Sequence, residues 1–217
     1  MKSIVLAAWL AALSVRATAG IILVEYYGDS TVWGYASGSD GKQVVDPPPQ
    51  VFARALKGRF EVRNHGVSGS TACDLLEGRD GAHPPWEERM RASRARYVIL
   101  NHAINDQWRY DVVTYRDCLR KLASTAQAYG KRIVFETPNP TRDSGAGGLD
   151  VYVDAMRDVA RGEGVPVIDQ YAYLTRLLAG RNPQELVPDG LHPSQQVYEL
   201  KGRFAAQAFL RLFPDNP

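Results

Sequence analysis

Five short apolar runs, spaced along the chain and separated by helical patterns, most constrain what this sequence can fold into. "IILVEYY" (21–27), "FEVRN" (60–64), "YVILNH" (97–102), "RIVFET" (132–137) and "VPVID" (165–169) are rich in Val, Ile and aromatic residues, the make-up of β-strands. The central runs lack the polar alternation of a sheet with one wet face, as strands covered on both faces should. Helical periodicity fills the intervals in "PPQVFARALKG", in residues 112–129 and in "LDVYVDAMRDVARGEG". A last amphipathic helix, "SQQVYELKGRFAAQAFLRLF", is begun by Pro193-Ser194 and ended by Pro214. Strand alternating with helix predicts an α/β fold whose parallel sheet is buried under helices on both sides. A chain of 217 residues with no repeat and no linker reads as one domain over 20–217. "ASGSDGKQVVDPPP" and "TPNPTRDSGAGG" read as surface loops.

The first nineteen residues are a separate matter. Lys2, an apolar stretch from Ile4 to about Leu13, and Ala17-Thr18-Ala19 as a small-x-small cleavage pattern predict a secretory signal peptide over 1–19. The apolar run is short for a membrane span, so no stable membrane insertion is expected after cleavage. Cleavage takes Lys2 and Arg16 from 26 basic residues and nothing from 24 acidic ones. The mature chain is then formally neutral, and no Lys/Arg cluster calls for a nucleic-acid partner. "RMRASRAR" (89–96), the densest basic run, reads as a solvated helix face. Periplasmic or secreted localisation follows as an expectation. There Cys73 and Cys118 can pair or stand as two small buried hydrophobes, since sequence reports no separation in space. No CxxC and no Cys/His grouping has zinc spacing, so neither metal nor cofactor is expected.

In open parallel sheets ligands bind beyond the carboxyl ends of the strands, which directs attention to the residues placed there. Gly28-Asp29-Ser30 follows the first run, Asn64-His65-Gly66-Val67-Ser68-Gly69 the second, and Ala103-Ile104-Asn105-Asp106 the third; Asp189-Gly190-Leu191-His192-Pro193 precedes the last helix. Each piece alone reads as a turn or a helix cap. Together they supply a hydroxyl, a base to take its proton and an acid to orient the base: Ser30, His192 and Asp189. Attack on an acyl carbon also builds charge on oxygen, which needs preorganised donors. The N–H groups of Ser30 and Gly66 and the amide of Asn105 are the candidates for that oxyanion hole.

These four blocks, in this order, resemble the SGNH (GDSL) esterase and lipase superfamily. Carried over position by position, Ser30, Gly66, Asn105 and His192 match its signature residues, with Asp189 as the triad acid. The match runs from about Gly28 to His192. Ala103 stands where the family usually has Gly, which puts the turn before Asn105 at issue unless its φ is negative. The resemblance implies a flavodoxin-like three-layer α/β/α sandwich around a five-stranded parallel sheet, in agreement with the count of apolar runs. It also implies a serine ester hydrolase working through an acyl-enzyme on Ser30.

Short-chain acyl esters, aryl esters and O-acetyl groups on glycans are all open as substrates. Two alternatives stand beside hydrolysis: an acyltransferase or O-acetylesterase of envelope or plant polysaccharide, and an inactive sugar-binding copy of the fold. Trp33, Tyr35, His102 and Trp108 are candidates for lining the substrate pocket, with helix packing as the alternative; Tyr110 belongs to the same aromatic group. His65 reads as a packing residue and His83 as a loop residue. There is no Gly-x-Ser-x-Gly elbow, Walker motif or GxGxxG.

Overall fold

A computed structural model describes residues 20–142 and 148–214. The expected signal peptide and most of the glycine-rich loop "GAGG" lie outside the described residues. Five strands, β1 (Ile22–Gly28), β2 (Phe60–Gly66), β3 (Tyr97–Asn101), β4 (Arg132–Glu136) and β5 (Val167–Ile168), form one sheet in the order β2-β1-β3-β4-β5. All four pairings are parallel, the flavodoxin-like order. The helices are α1 (Ser30–Trp33), α2 (Pro48–Ala55), α3 (Ala72–Glu77), α4 (Trp86–Ala92), α5 (Asp106–Arg109), α6 (Val112–Ala128), α7 (Leu149–Gly162), α8 (Gln170–Leu178), α9 (Pro183–Leu186) and α10 (Gln195–Leu212).

Strand side chains point alternately to the two faces, and here both faces are dry. Val24, Tyr26, Tyr97, Ile99 and Val134 pack toward Phe52 of α2 and Phe209 of α10. Tyr27, Val98, Leu100, Ile133 and Phe135 pack on the opposite side with α3, α4, α6 and α7. This is the three-layer sandwich. The second layer is locked by a disulfide between Cys73 of α3 and Cys118 of α6, with Cα atoms 5.2 Å apart. On the first, Gly202 lets α10 ride close over α2: a Cβ there would fall 2.6 Å from Pro48 O.

The fifth strand is shorter than the apolar run suggests. Pro166 has no N–H to give the ladder, although its carbonyl still accepts from Phe135 N at 3.0 Å. The basic run also differs from a uniform solvated face. The helix ends at Ala92, and Arg89 turns inward, donating to Tyr27 Oη at 2.6 Å and lying 3.7 Å from the buried carboxylate of Glu25. His65 stacks on Tyr27 in the same cluster, and its imidazole is pushed down to about 4 by burial and by Arg89 beside it. His83 pairs with Asp80 at 2.6 Å in a loop against this cluster.

Candidate active site

Gly28-Asp29-Ser30 is a strand-to-helix turn built by close approach. A Cβ on Gly28 would fall 2.5 Å from Asn101 O and 2.3 Å from Val32 Cγ2, so only glycine lets β1 end tight against β3 and α1. Asp29 caps α1, its Oδ1 accepting from Thr31 N and Thr31 Oγ1, both at 2.8 Å. Ser30 is thereby the first helical residue, 6% exposed at the carboxyl edge of the sheet. Because β2 lies on one side of β1 and β3 on the other, this edge is where the strand order reverses and a crevice opens.

The last helix brings the other reactive groups to the same edge. Asp189 Oδ1 accepts from Leu191 N at 2.9 Å and His192 N at 2.7 Å, a tight turn in which Gly190 takes a φ of +87°. Its other oxygen accepts from His192 Nδ1 at 2.8 Å. That bond puts the ring proton on Nδ1 and leaves Nε2 with a lone pair, and Nε2 lies 2.8 Å from Ser30 Oγ. Burial opposes ionisation of Asp189, but the donors from His192 and Leu191 outweigh it and hold its carboxyl below the usual range. Ser30, His192 and Asp189 therefore form one continuous hydrogen-bonded chain, although 162 positions separate the hydroxyl from the imidazole.

The oxyanion donors are placed less uniformly. Asn105 sits at the N-terminus of α5 without capping it; its amide instead reaches Ser70 O at 2.9 Å, which leaves its second N–H to donate elsewhere. Ala103 does not have a positive φ, and its methyl group is fully buried in the core, so the turn tolerates alanine. Gly66 requires a correction. Its N–H already donates to Asn64 Oδ1 at 2.9 Å, and a Cβ there would meet Trp33 N at 2.2 Å. Glycine is needed at 66 for the close passage of β2 against α1. Gly69 lies three residues on, in a turn closed by Ser70 N to Val67 O at 3.1 Å. It has a φ of +79° and open space on its side-chain direction, and its N–H has no hydrogen bond to another described group.

Of the four aromatic or imidazole candidates for the pocket, His102 is displaced. It is 1% exposed, lies 3.2 Å from Ser70 Oγ, and is pushed down to about 4 by burial; it supports the turn from beneath and meets no solvent. Trp108 is 63% exposed and borders an open cleft of about 450 Å³ with Asp189, Gly190 and Leu191. Trp33 is half-buried, and Tyr35 lies against His192. Tyr110 is a packing residue, its hydroxyl within 3.4 Å of Asp74 Oδ1.

A buried polar network under the nucleophile has no local signature in the sequence. Lys201 of α10 is fully buried, its Nζ donating to Asn139 Oδ1 at 2.9 Å and approaching Thr31 Oγ1 at 3.5 Å. Glu136 accepts from Tyr26, Gln170 and Asn101, the last at 2.8 Å. Burial pushes Glu136 up and Lys201 down, and each charge tempers the other. A lysine among apolar positions in the middle of the last helix is the one clue a reader of the sequence has. Another buried carboxyl, Asp106, is pushed up to about 8 by burial while accepting from Ala72 N at 2.9 Å.

These features define a class. The chain belongs to the GDSL-like lipase/acylhydrolase family, whose sequence model matches residues 26–200, and it is an ester hydrolase of that type. Among solved structures it is similar to LAE5, an α/β hydrolase enzyme from the metagenome of Lake Arreo, Spain. The identity is 25% over 88% of this chain and 94% of that one, with a TM-score of 0.68. It also shares its fold with an acetylxylan esterase from Geobacillus stearothermophilus, at 23% identity over the same shares of the two chains and a TM-score of 0.69. No curated protein matches it in sequence.

Proposed function

We propose that the protein hydrolyses short-chain acyl esters, with O-acetyl groups on glycans as the favoured class, through an acyl-enzyme on Ser30. The observation that carries the reading is the unbroken relay from Asp189 through His192 to Ser30 Oγ, with both ring nitrogens at 2.8 Å from their partners. In the first half-reaction Ser30 Oγ attacks the ester carbonyl as its proton passes to His192 Nε2, and Asp189 steadies the imidazolium. The carbonyl oxygen becomes an oxyanion held by Ser30 N–H, the free N–H of Asn105 and Gly69 N–H, which takes the part expected of Gly66. His192 then hands the proton to the departing alkoxide. In the second half the same nitrogen draws a proton from water as it attacks the acyl carbon; the bond from that carbon to Ser30 Oγ then breaks, His192 returns the proton to Oγ, and the acid leaves.

The substrate class is supported from the alcohol side. The cleft beside Asp189 is open and mixed in polarity, and exposed Trp108 on its rim offers a flat apolar face of the kind on which a sugar ring or an aryl group can rest. The acetylxylan esterase of the same fold acts on such an acetylated glycan by its own description. Periplasmic or secreted localisation is part of the proposal, supported by the signal-like first nineteen residues and by the Cys73–Cys118 disulfide, which persists in oxidising compartments. No helix among the described residues is long and apolar enough to cross a membrane.

The test is direct. A fluorophosphonate probe labels the wild-type protein at Ser30, and Ser30→Ala abolishes turnover of p-nitrophenyl acetate and of acetylated xylo-oligosaccharide. Turnover retained in that variant removes the mechanism. Preference for octanoyl over acetyl esters removes the substrate class and leaves the mechanism standing.

A further inference from the structure

Two hydrogen bonds do not fix an imidazole completely. Ser30 Oγ and Asp189 Oδ2 hold His192 at Nε2 and Nδ1, at opposite sides of the ring. They leave it free to tip about the line joining those two oxygens, and a ring that tips turns its lone pair away from the hydroxyl. Something against the flat face of the ring must oppose that motion.

Resting on the triad proposed above, we infer that Tyr35 is a positioning residue for His192, and that residues 35–39 form an arm holding the acid–base loop in register with the nucleophile. The Tyr35 ring stacks on His192 with centroids 4.5 Å apart and planes 29° from parallel. It blocks tipping toward one side. Its π-face also lies where positive charge appears when His192 takes the serine proton, an attraction absent while the ring is neutral and present in the transition state.

Tyr35 is itself held at both ends. Its hydroxyl donates to Ser39 O at 2.7 Å and accepts from Gly41 N at 3.3 Å. At the backbone, its N–H donates to Ser30 O at 2.9 Å, and its carbonyl accepts from Tyr198 Oη at 3.1 Å. Two residues further, Ser37 Oγ accepts from Asp189 N at 3.0 Å, so the arm touches the acid as well as the base. Gly34, with a φ of +95° and packed on Pro47 where a Cβ would clash at 2.7 Å, turns the chain out of α1 into this arm. The segment that carries the nucleophile thus continues, five residues later, into the surface that orients its base.

The experiment compares Tyr35→Phe, Tyr35→Leu and Ser37→Ala with wild type for kcat and KM on p-nitrophenyl acetate, for the rate of fluorophosphonate labelling, and for Tm. Tyr35→Leu is expected to lower kcat and the labelling rate 10- to 100-fold with KM within about threefold. Tyr35→Phe, which keeps the ring, stays within about threefold of wild type in all three. Ser37→Ala, which keeps the ring and removes one exposed contact, loses several-fold in kcat and serves as the folded test if Tyr35→Leu does not fold. The inference is overturned if Tyr35→Leu raises KM and leaves kcat unchanged, which would make Tyr35 a substrate wall. It is overturned equally if Tyr35→Phe falls as far as Tyr35→Leu, or if Ser37→Ala matches wild type. Failure of the triad itself has a different signature: wild type that takes no probe, or Ser30→Ala that still turns over.

Discussion

Replacing Asp189 by asparagine tests what the carboxylate does, because the change preserves shape and reverses one dipole. The two backbone donors, Leu191 N and His192 N, both reach Oδ1, which an asparagine oxygen reproduces. The loop should therefore keep its conformation. What changes is the group facing His192 Nδ1 at 2.8 Å: an oxygen becomes an NH₂, and donor meets donor. The ring relieves this by moving its proton to Nε2, where it faces Ser30 Oγ and can no longer accept from it. A triad histidine held in the wrong tautomer loses on the order of 10⁴ in kcat, about 5.5 kcal/mol of transition-state stabilisation. The assay is steady-state hydrolysis of p-nitrophenyl acetate, with Tm measured alongside. We expect kcat to fall about 10⁴-fold while Tm stays within about 2 °C, as suits a partly exposed position whose backbone contacts survive. A variant with kcat within tenfold of wild type and unchanged Tm would refute the assignment of the tautomer to Asp189.

Two further predictions concern stability. Burial lifts the Asp106 carboxyl from its ordinary 3.8 to about 8, so between those values the folded state holds a proton that the unfolded chain releases. Stability should be greatest at the acid end of this window and fall as pH rises toward 8. Asp106→Asn keeps the acceptor for Ala72 N and should flatten that dependence in urea unfolding from pH 5 to 9; parallel curves for the two proteins would contradict it. Reducing the Cys73–Cys118 disulfide, which spans 45 positions, should cost about 4 kcal/mol on a chain-entropy basis. Urea midpoints with and without a phosphine reductant measure this, and a shift equivalent to under about 1 kcal/mol would show that the reduced unfolded chain retains structure there.

Much of the architecture was legible because the sheet is buried on both faces, and a doubly buried strand declares itself as an unbroken apolar run. Tyr97 to Asn101 is such a run, and it lies at the middle of the sheet. The short helices α3 and α8 escaped notice because six and nine residues between turns present too little periodicity. The triad residues stood out by chemical type, since Asp-x-x-His before a helix and Gly-Asp-Ser after a strand are compact local patterns. The choice between Gly66 and Gly69 was not legible. The two glycines lie three positions apart at the end of β2 and in the turn after it, and only the bond from Gly66 N–H to Asn64 Oδ1 shows which N–H is already engaged. Lys201 and Glu136 act on each other's charge across long stretches of chain, so neither position advertises the other. Arg89 looked solvated for the same reason, since Glu25 is far away along the polypeptide.

The hydroxyl comes from the end of the first strand and the imidazole from just before the last helix, and Gly202 seats that helix against α2. If these two groups act as proposed, catalytic competence waits until both ends of the described chain have folded together. On the proposed mechanism, a nascent polypeptide not yet made as far as His192 holds a hydroxyl with no base, and its serine is not acylated by the esters it meets. On that mechanism, esterase activity reports that the chain has been made past His192 and folded onto the sheet, which makes a chromogenic ester a ready readout for its folding.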